Sequence, residues 1–291
     1  MSSGRITQQS VADVALRGLQ TNLATMQNLQ QQLSSGKQIS KPSDDPAGTV
    51  ASMALRSQND ADTQYLRNID QASGRLNVTD NALTQLSDRL IAVRNLVVQS
   101  RDGALGTASE SALSAQVTSI SGEITSLYNT TYLGRPVFGG TTTAATTVDA
   151  TGTYLGNNAP VQTRISSDSV IRIDVAGTAV GADTVPAMLT QIATNIASPT
   201  GASDTDLNTI DAALSKISNA LGDVGARESR INTTKNMINS QQIDLSGRIS
   251  SNEDIDVAKA TMNLSTAQVA YQAALASAAK IQQTSLVDFL K

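Results

Sequence analysis

The chain has 291 residues, a formal net charge of −4, and neither histidine nor cysteine. Without imidazole or thiol groups it has no Ser-His-Asp or Cys-His nucleophile and no histidine or thiolate metal site, so the composition disfavours an enzyme and predicts no cofactor. The acidic balance and the absence of tryptophan also exclude the basic, aromatic surface that nucleic acid requires, so no nucleic-acid partner is expected.

The first predicted helix carries one apolar stripe at heptad spacing. Its members are Leu16, Leu19, Leu23, Met26 and Leu33, with Gln30 as the polar exception. Apolar residues that recur three and four positions apart predict an amphipathic helix. Gly36 follows as the expected terminator, because glycine readily adopts the left-handed conformation that ends helices.

The segment "KQISKPSDDPAGTV" places two adjacent carboxylates, Asp44 and Asp45, between Pro42 and Pro46. A paired-acid active site or metal site is one interpretation, but adjacent side chains in an extended segment point apart. Asp45 is biased out of the α region by the following proline, as an N-cap must be, and Pro46 suits the first helical position. The segment therefore predicts a break between two helices, with structural acids.

Three further helical runs carry long heptad seams. They are Ile69, Ala72, Leu76, Thr79, Leu83, Leu86, Leu90, Val93 and Val97; then Leu113, Val117, Ile120, Ile124 and Leu127; and, after the middle of the chain, Leu207, Ile210, Leu214, Ile217, Leu221, Val224, Ile231, Ile238, Leu245 and Ile249. The last run would span on the order of 60 Å at about 1.5 Å per residue. This length favours an elongated coiled coil over core-facing helices of a compact bundle.

Residues 132–199 differ in kind, being rich in Thr, Gly, Ala and Val. In "VIRIDVAG" the alternation predicts a strand with Ile171, Ile173 and Val175 on one face and Arg172 and Asp174 on the other. A short helix is expected over "TVPAMLTQIATNIA", with its proline in the first turn. The exposed Thr and Gly residues allow a sugar-binding surface, but without aromatic platforms a solvent-facing decorative domain is favoured.

The last predicted helix, from Asn252 to Leu290, ends on the apolar sequence "SLVDFL". Its heptad stripe, which we expect to pair with the first helix, consists of Ile255, Ala258, Met262, Val269, Ala276, Ala279, Leu286 and Leu290. Neither terminal helix can bury its stripe alone, so folding of about the first and last forty residues should be coupled to assembly. The chain contains no run of eighteen apolar residues and no cationic leader, which predicts neither a membrane protein nor a Sec substrate.

Two terminal signatures resemble the flagellin-type axial proteins of bacterial flagella. The first is "LQQQLSSGKQISKPSDDPAGTVASMAL"; the second begins at "VGARESRINTTKNMI" and continues through "ISSNEDIDVAKATMNL" to "SLVDFLK". The likeness covers residues 5–137 and 205–291, and departs from the family in the extra residues of "MSSGRITQQ". The prolines of "KPSDDP" and the "SLVDFL" ending are nearer to hook–filament junction members than to flagellins.

The resemblance implies a mainly α fold, with an elongated coiled-coil helical bundle built from both ends of the chain and a small β-containing (α+β) central domain inserted. Residues 1–45 and 250–291 would form terminal inner-tube helices that are mobile in the monomer. Residues 46–135 and 203–249 would form a helical rod, and 136–202 a variable domain.

The resemblance also implies a structural role outside the cell, in the flagellum, after export by the flagellar type III apparatus. The implied partners are a ring of the chain's own copies, the hook-side junction protein, flagellin and a cytoplasmic export chaperone. The implied contact residues are Leu16, Leu19, Leu23, Met26, Val269, Leu275, Leu286, Val287, Phe289 and Leu290.

Three alternatives stay open. The chain could be a flagellin, the filament subunit itself, which would share the terminal helices and polymerise without limit. A cytosolic coiled-coil scaffold would explain the heptads but not the two signatures. A carboxylate enzyme acting on surface glycans would depend on Asp44, Asp45, Asp168 or Asp174.

Overall fold

The computed structural model describes residues 8–101, 106–198 and 201–289. Side chains are described for these residues except 8–12 and 280–289. Over these ranges the chain forms six α-helices: α1 (Gln8–Ser35), α2 (Pro46–Ser100), α3 (Thr107–Tyr128), α4 (Val185–Ala197), α5 (Asp204–Glu253) and α6 (Val257–Phe289). Two small antiparallel sheets lie between α3 and α4 in the sequence. The mainly helical fold with a small β part is therefore confirmed.

Each sheet is a single pair of strands. β1 (Thr131–Tyr132) pairs with β2 (Arg135–Pro136), and β3 (Gln162–Ser166) pairs with β4 (Ser169–Arg172). A short 3-10 helix, Gly177–Val180, precedes α4. In the part of the chain that the structure describes, no helix is both long enough and apolar enough to cross a membrane.

The chain divides into two compact units. The first comprises residues 1–60 and 242–291 and contains α1, the beginning of α2, the end of α5, and α6. The second comprises residues 61–241 and contains the rest of α2 and α5 together with α3, α4 and both sheets.

The core of the second unit is built from the heptad seams that the sequence displays. All nine positions from Ile69 to Val97 named for the second run are buried, and α5 buries every seventh residue at Ile210, Ile217, Val224, Ile231 and Ile238. Thr79 occupies its polar slot by donating its hydroxyl to the Arg75 carbonyl at 2.9 Å. The α3 seam joins the same cluster, which Leu189, Ile192 and Ile196 of α4 extend.

The strand predicted over "VIRIDVAG" ends at Arg172, three residues before Val175, the last residue of the predicted alternation. Asp174, which the alternation placed on the face opposite Ile171, Ile173 and Val175, is fully buried. Its carboxylate accepts from Nε and Nη2 of Arg172, both at 2.9 Å, and from the N–H of Val161 at 2.8 Å. A buried carboxylate needs such partners, and Arg172 supplies them once the strand alternation has stopped. Helix α4 begins at Val185, with Pro186 in its first turn, as predicted.

Candidate assembly interface

The break between α1 and α2 begins at Gly36, whose φ of 71° lies in the left-handed region. Asp44 folds the loop that follows. Its Oδ2 accepts from the N–H of Lys41 at 2.9 Å, the hydroxyl of Ser40 at 3.0 Å and the N–H of Ser40 at 3.1 Å. The Lys41 amide and the Ser40 hydroxyl, which both favour the ionised carboxylate, lower the pKa of Asp44.

Asp45 lies directly before α2, which starts at Pro46. Its Oδ1 accepts from the N–H of Gly48 at 3.0 Å, a donor that would otherwise have no partner in the first helical turn. Gly48 is close-packed here, because a Cβ at this position would lie 2.5 Å from Oδ2 of Asp45 and 2.6 Å from Cδ1 of Ile39. The contacts of both acids are thus those of loop and cap residues.

Glu253, the last residue of α5, forms an ion-pair cluster that sequence reasoning missed. The residue is 5% exposed. Its Oε2 accepts from Lys37 Nζ at 2.8 Å and Arg56 Nη2 at 2.5 Å, while Oε1 accepts from Arg56 Nε at 3.0 Å. The hydrogen bonds from Arg56 and then Lys37 lower the pKa of Glu253 to about 2. No local pattern marks this acid, because its partners are about 200 residues away in sequence.

Main-chain hydrogen bonds join the same segments. The N–H of Gln38 donates to the Glu253 carbonyl at 2.6 Å, and the N–H of Ile255 donates to the Gly36 carbonyl at 3.0 Å. Asn252 Nδ2 also donates to the Gly48 carbonyl at 2.8 Å. We call residues 36–56 together with 252–255 the joint. Because the joint ties the end of α1 to the start of α6, it sets the register of these two helices.

The surface of the joint contains a cavity of about 440 Å³. Ile39, Pro42 and Met53 form its apolar walls, and Lys37 and Arg56 border it beside Glu253. The described residues include no cluster of three or more acidic side chains that could hold a metal ion. Lys37 and Arg56 are each about half exposed, so the surface of the joint is partly cationic.

Helix α6 packs against α1 through a stripe of mostly small residues. Ala260 is buried, and Leu264, Ala267, Tyr271, Ala274 and Ala278 are partly buried at heptad spacing. On α1 the partly buried apolar positions are Ala15, Leu19, Leu23, Met26, Leu29 and Leu33, whereas Leu16 is exposed. Small residues allow two helices to approach closely.

The stripe that the sequence suggested for this pairing lies on the other side of α6. Met262 is 66% exposed and Val269 is 63% exposed. Ala258, Ala276 and Ala279 are exposed too. Met262, Val269 and Ala276 each follow a residue of the packed stripe by two positions, or about 200° around the helix. Both stripes have a seven-residue period, so periodicity alone could not say which one meets α1.

The remaining predicted contact residues lie at the end of α6. Leu275 is exposed. Leu286, Val287 and Phe289 fall within the helix but in the part without described side chains, and Leu290 lies outside the described residues. We call the exposed positions Met262 and Val269 the outer stripe of α6.

Comparison with known proteins assigns the chain to a family. The bacterial flagellin N-terminal helical region matches residues 6–143, and the flagellin C-terminal helical region matches residues 207–290. The chain belongs to the bacterial flagellin family. A member of this family is a structural component of the flagellum that assembles with other axial proteins.

Three individual proteins illustrate the likeness. Flagellar hook-associated protein 3 of Salmonella typhimurium is 26% identical over 175 residues, which cover 60% of this chain but only 55% of that protein. Flagellin of Bacillus subtilis is 25% identical over 296 aligned positions and 96% of both chains. The crystal structure of Bacillus cereus FlgL shares the fold, with a TM-score of 0.61 and 22% identity over 68% of this chain and 99% of that one.

Proposed function

We propose that this chain is an axial subunit at the junction between the flagellar hook and the filament. A ring of its copies would join the hook-side junction protein to flagellin. The observation that carries the assembly role is the outer stripe of α6, which exposes large apolar side chains opposite the stripe already packed on α1. Likeness to hook-associated protein 3 supports the position at the junction.

The terminal helices would be used twice. Before export, a cytoplasmic chaperone would cover the apolar end at Leu286, Val287, Phe289 and Leu290. After export through the flagellar type III apparatus, neighbouring subunits would cover Leu16 of α1 and Val269 and Leu275 of α6. They would also complete the burial of Leu19, Leu23 and Met26, which α6 covers in part. An exposed apolar surface of this kind marks an interface.

Flagellin is the second candidate, because the alignment with Bacillus subtilis flagellin extends over 96% of both chains. The two functions differ in how far the subunit polymerises. A filament subunit continues to add to its own polymer, whereas a junction subunit stops at a ring. Purified chain that grows long filaments from hook fragments would establish the second candidate.

A gene deletion tests the junction role. We expect cells without the chain to secrete flagellin monomers and to carry hooks without filaments, and the intact gene to restore the filaments. A deletion strain that still builds full-length filaments would disprove the junction role. Bare hooks without flagellin in the medium, together with normal flagellin synthesis, would indicate an export defect instead.

A further inference from the structure

Leu133, at the tip of the β1–β2 hairpin, combines two unfavourable features. It is the only described residue other than glycine with a positive φ, at 49°, and the next residue, Gly134, has a φ of 75°. Two-residue hairpin turns of this kind favour asparagine or aspartate at the first position. Leu133 is also 80% exposed, more than any other large apolar residue in the described chain.

The body of the hairpin is fixed, so the tip is held in one place. Val137 N–H donates to the Thr130 carbonyl at 3.0 Å, and Arg75 Nη2 of α2 donates to the Pro136 carbonyl at 3.0 Å. Tyr132 packs against Gly74, where an added Cβ would come within 2.6 Å of the tyrosine hydroxyl. The strained, exposed leucine thus projects from a rigid support.

Asparagine at position 133 would relieve the backbone and remove an apolar side chain from water. In the isolated chain leucine therefore carries backbone strain at this position and gains no burial of its side chain. A contact outside the monomer would account for a leucine at this position. Arg135, two residues along, is exposed, and its side chain has no ion-pair or hydrogen-bond partner among the described residues.

A surface with complementary properties lies further along α2. Asp88, Ile91, Asn95 and Val98 share one face of the helix, spaced three and four residues apart, and all are exposed. Ile91 is 45% and Val98 50% exposed. Within the described chain Asp88 has no side-chain partner, whereas the neighbouring Arg89 and Arg94 are neutralised by Glu123 and Asp211.

We propose that the hairpin tip of one copy docks on this face of α2 in a second copy. Leu133 contacts Ile91 and Val98, and Arg135 pairs with Asp88. Charge complementarity selects a second copy, since the face offers one unpaired acid beside apolar side chains and the tip one unpaired base beside a leucine. The contact is heterologous, so repeated docking produces a ring or helix. The proposal rests on the assembly role and specifies its partner.

The hairpin tip cannot reach this face of α2 within its own copy. The hairpin is fixed at Gly74 and Arg75, and Ile91 lies sixteen residues beyond Arg75, or about 24 Å along the helix at about 1.5 Å per residue. A rigid two-residue turn does not bridge that distance.

Disulfide trapping tests the contact directly, because the chain contains no cysteine. Cells lacking the native gene would co-express a Leu133→Cys version and an Ile91→Cys version, and their isolated flagella would be oxidised. We expect a disulfide dimer that links position 133 of one copy to position 91 of another. Leu155→Cys, also at an exposed leucine, replaces Ile91→Cys in the matched control. A 133–91 dimer no more abundant than the 133–155 dimer overturns the proposal.

A second variant separates docking from stability. Leu133→Asn should raise the melting temperature of the purified chain. In a second measurement, Arg135→Cys and Asp88→Cys report the contact, and adding Leu133→Asn should at least halve the yield of their disulfide. Leu155→Asn is the control and should leave that yield unchanged. An unchanged yield in Leu133→Asn contradicts the docking role.

The identity of the partner is tested with a photoreactive amino acid at position 133. Adducts on residues 88–98 of a second copy support the proposal, and adducts on the hook-side protein or flagellin alone overturn it. These readouts apply to whichever flagellar structure contains the chain. If the chain is distributed along the filament, the junction role is wrong, but the same cross-links still show whether the docking contact forms.

Discussion

At the scale of single residues, Glu253 connects the two ends of the chain. Its carboxylate is buried, yet it is ionised because two cations donate to it from opposite sides of the break between α1 and α2. Removing one partner of such a cluster leaves an uncompensated charge. The loss of folding free energy then exceeds the net stabilisation that the intact cluster provides. Lys37 and Arg56 are about half exposed, so solvent limits the size of the effect.

Replacing Glu253 by Gln should lower the stability of the joint by about 1–2 kcal/mol, discounted for the half-exposed partners. Hydrogen exchange of residues 36–56 and 252–255 measures it locally. Glu123→Gln is the control, because the Glu123 pair with Arg89 is exposed on both sides and should contribute under about 1 kcal/mol. Equal protection of the joint in both variants would contradict the role of Glu253.

The same cluster gives the joint a pH dependence. The pKa of Glu253 is about 2 when folded, against an ordinary value of 4.5. A depressed folded pKa means that the stabilisation is complete above pH 4.5 and declines as the pH falls toward 2. Hydrogen-exchange protection of the joint should fall over this window in the native chain and change less in Glu253→Gln. Parallel profiles for the two proteins would exclude the cluster as the cause.

Gly48 tests how tightly the start of α2 is packed. Gly48→Ala should reduce stability, because its Cβ would overlap Asp45 and Ile39. Gly18→Ala in α1, which has open space around the new methyl group, should be neutral or stabilising by up to about 1 kcal/mol. Thermal unfolding followed by circular dichroism compares them, and a stabilising Gly48→Ala would contradict this packing.

At the scale of elements, α6 has two apolar faces, only one of which is covered within the chain. Leu264→Ser should weaken the α1–α6 pair, since Leu264 lies on the packed stripe, and increase hydrogen exchange in both helices. Met262→Ser, on the outer stripe, should leave exchange unchanged but reduce incorporation into flagella. If Met262→Ser destabilised the isolated pair as much as Leu264→Ser, the assignment of the two faces would be wrong.

The sequence predicts the buried face correctly for helices that have a single apolar face. The heptads of α2 and α5 are unambiguous because charged residues occupy their other faces, and the structure buries the whole α2 seam and every seventh residue of the α5 seam. For α6 the pattern was ambiguous, since alanines surround the helix and two stripes share one period. Glu253 could not be assigned from sequence, because its partners Lys37 and Arg56 come from the far end of the chain. Asp174 has its partner two residues away, but its burial follows from the end of the strand at Arg172, which the alternation did not predict.

At the scale of the whole molecule, the terminal helices of the first unit bury fewer side chains than the helices of the second unit. Among residues 13–35 of α1 no side chain is fully buried, and among residues 257–279 of α6 only Ala260 is. In the second unit long seams are completely buried. Apolar burial is the main stabilising term, so the α1–α6 pair should be the less stable part of the isolated chain.

Limited proteolysis of the purified chain measures that difference. Cleavage should start in α1 and α6 and leave a fragment containing Ile69 to Val97 and Ile210 to Ile238. Assembled flagella should protect both terminal helices. Early cleavage within the second unit, with α1 and α6 intact, would reverse the order of stability proposed for the two units.

Immunogold electron microscopy of intact flagella tests the junction role most directly. An antibody against residues 162–172, which form the β3–β4 hairpin, would be applied to native cells and to cells lacking the gene. The junction role predicts a single narrow band of gold where the hook meets the filament, absent from the deletion strain. Gold distributed along the length of the filament would contradict it and identify the chain as a filament subunit.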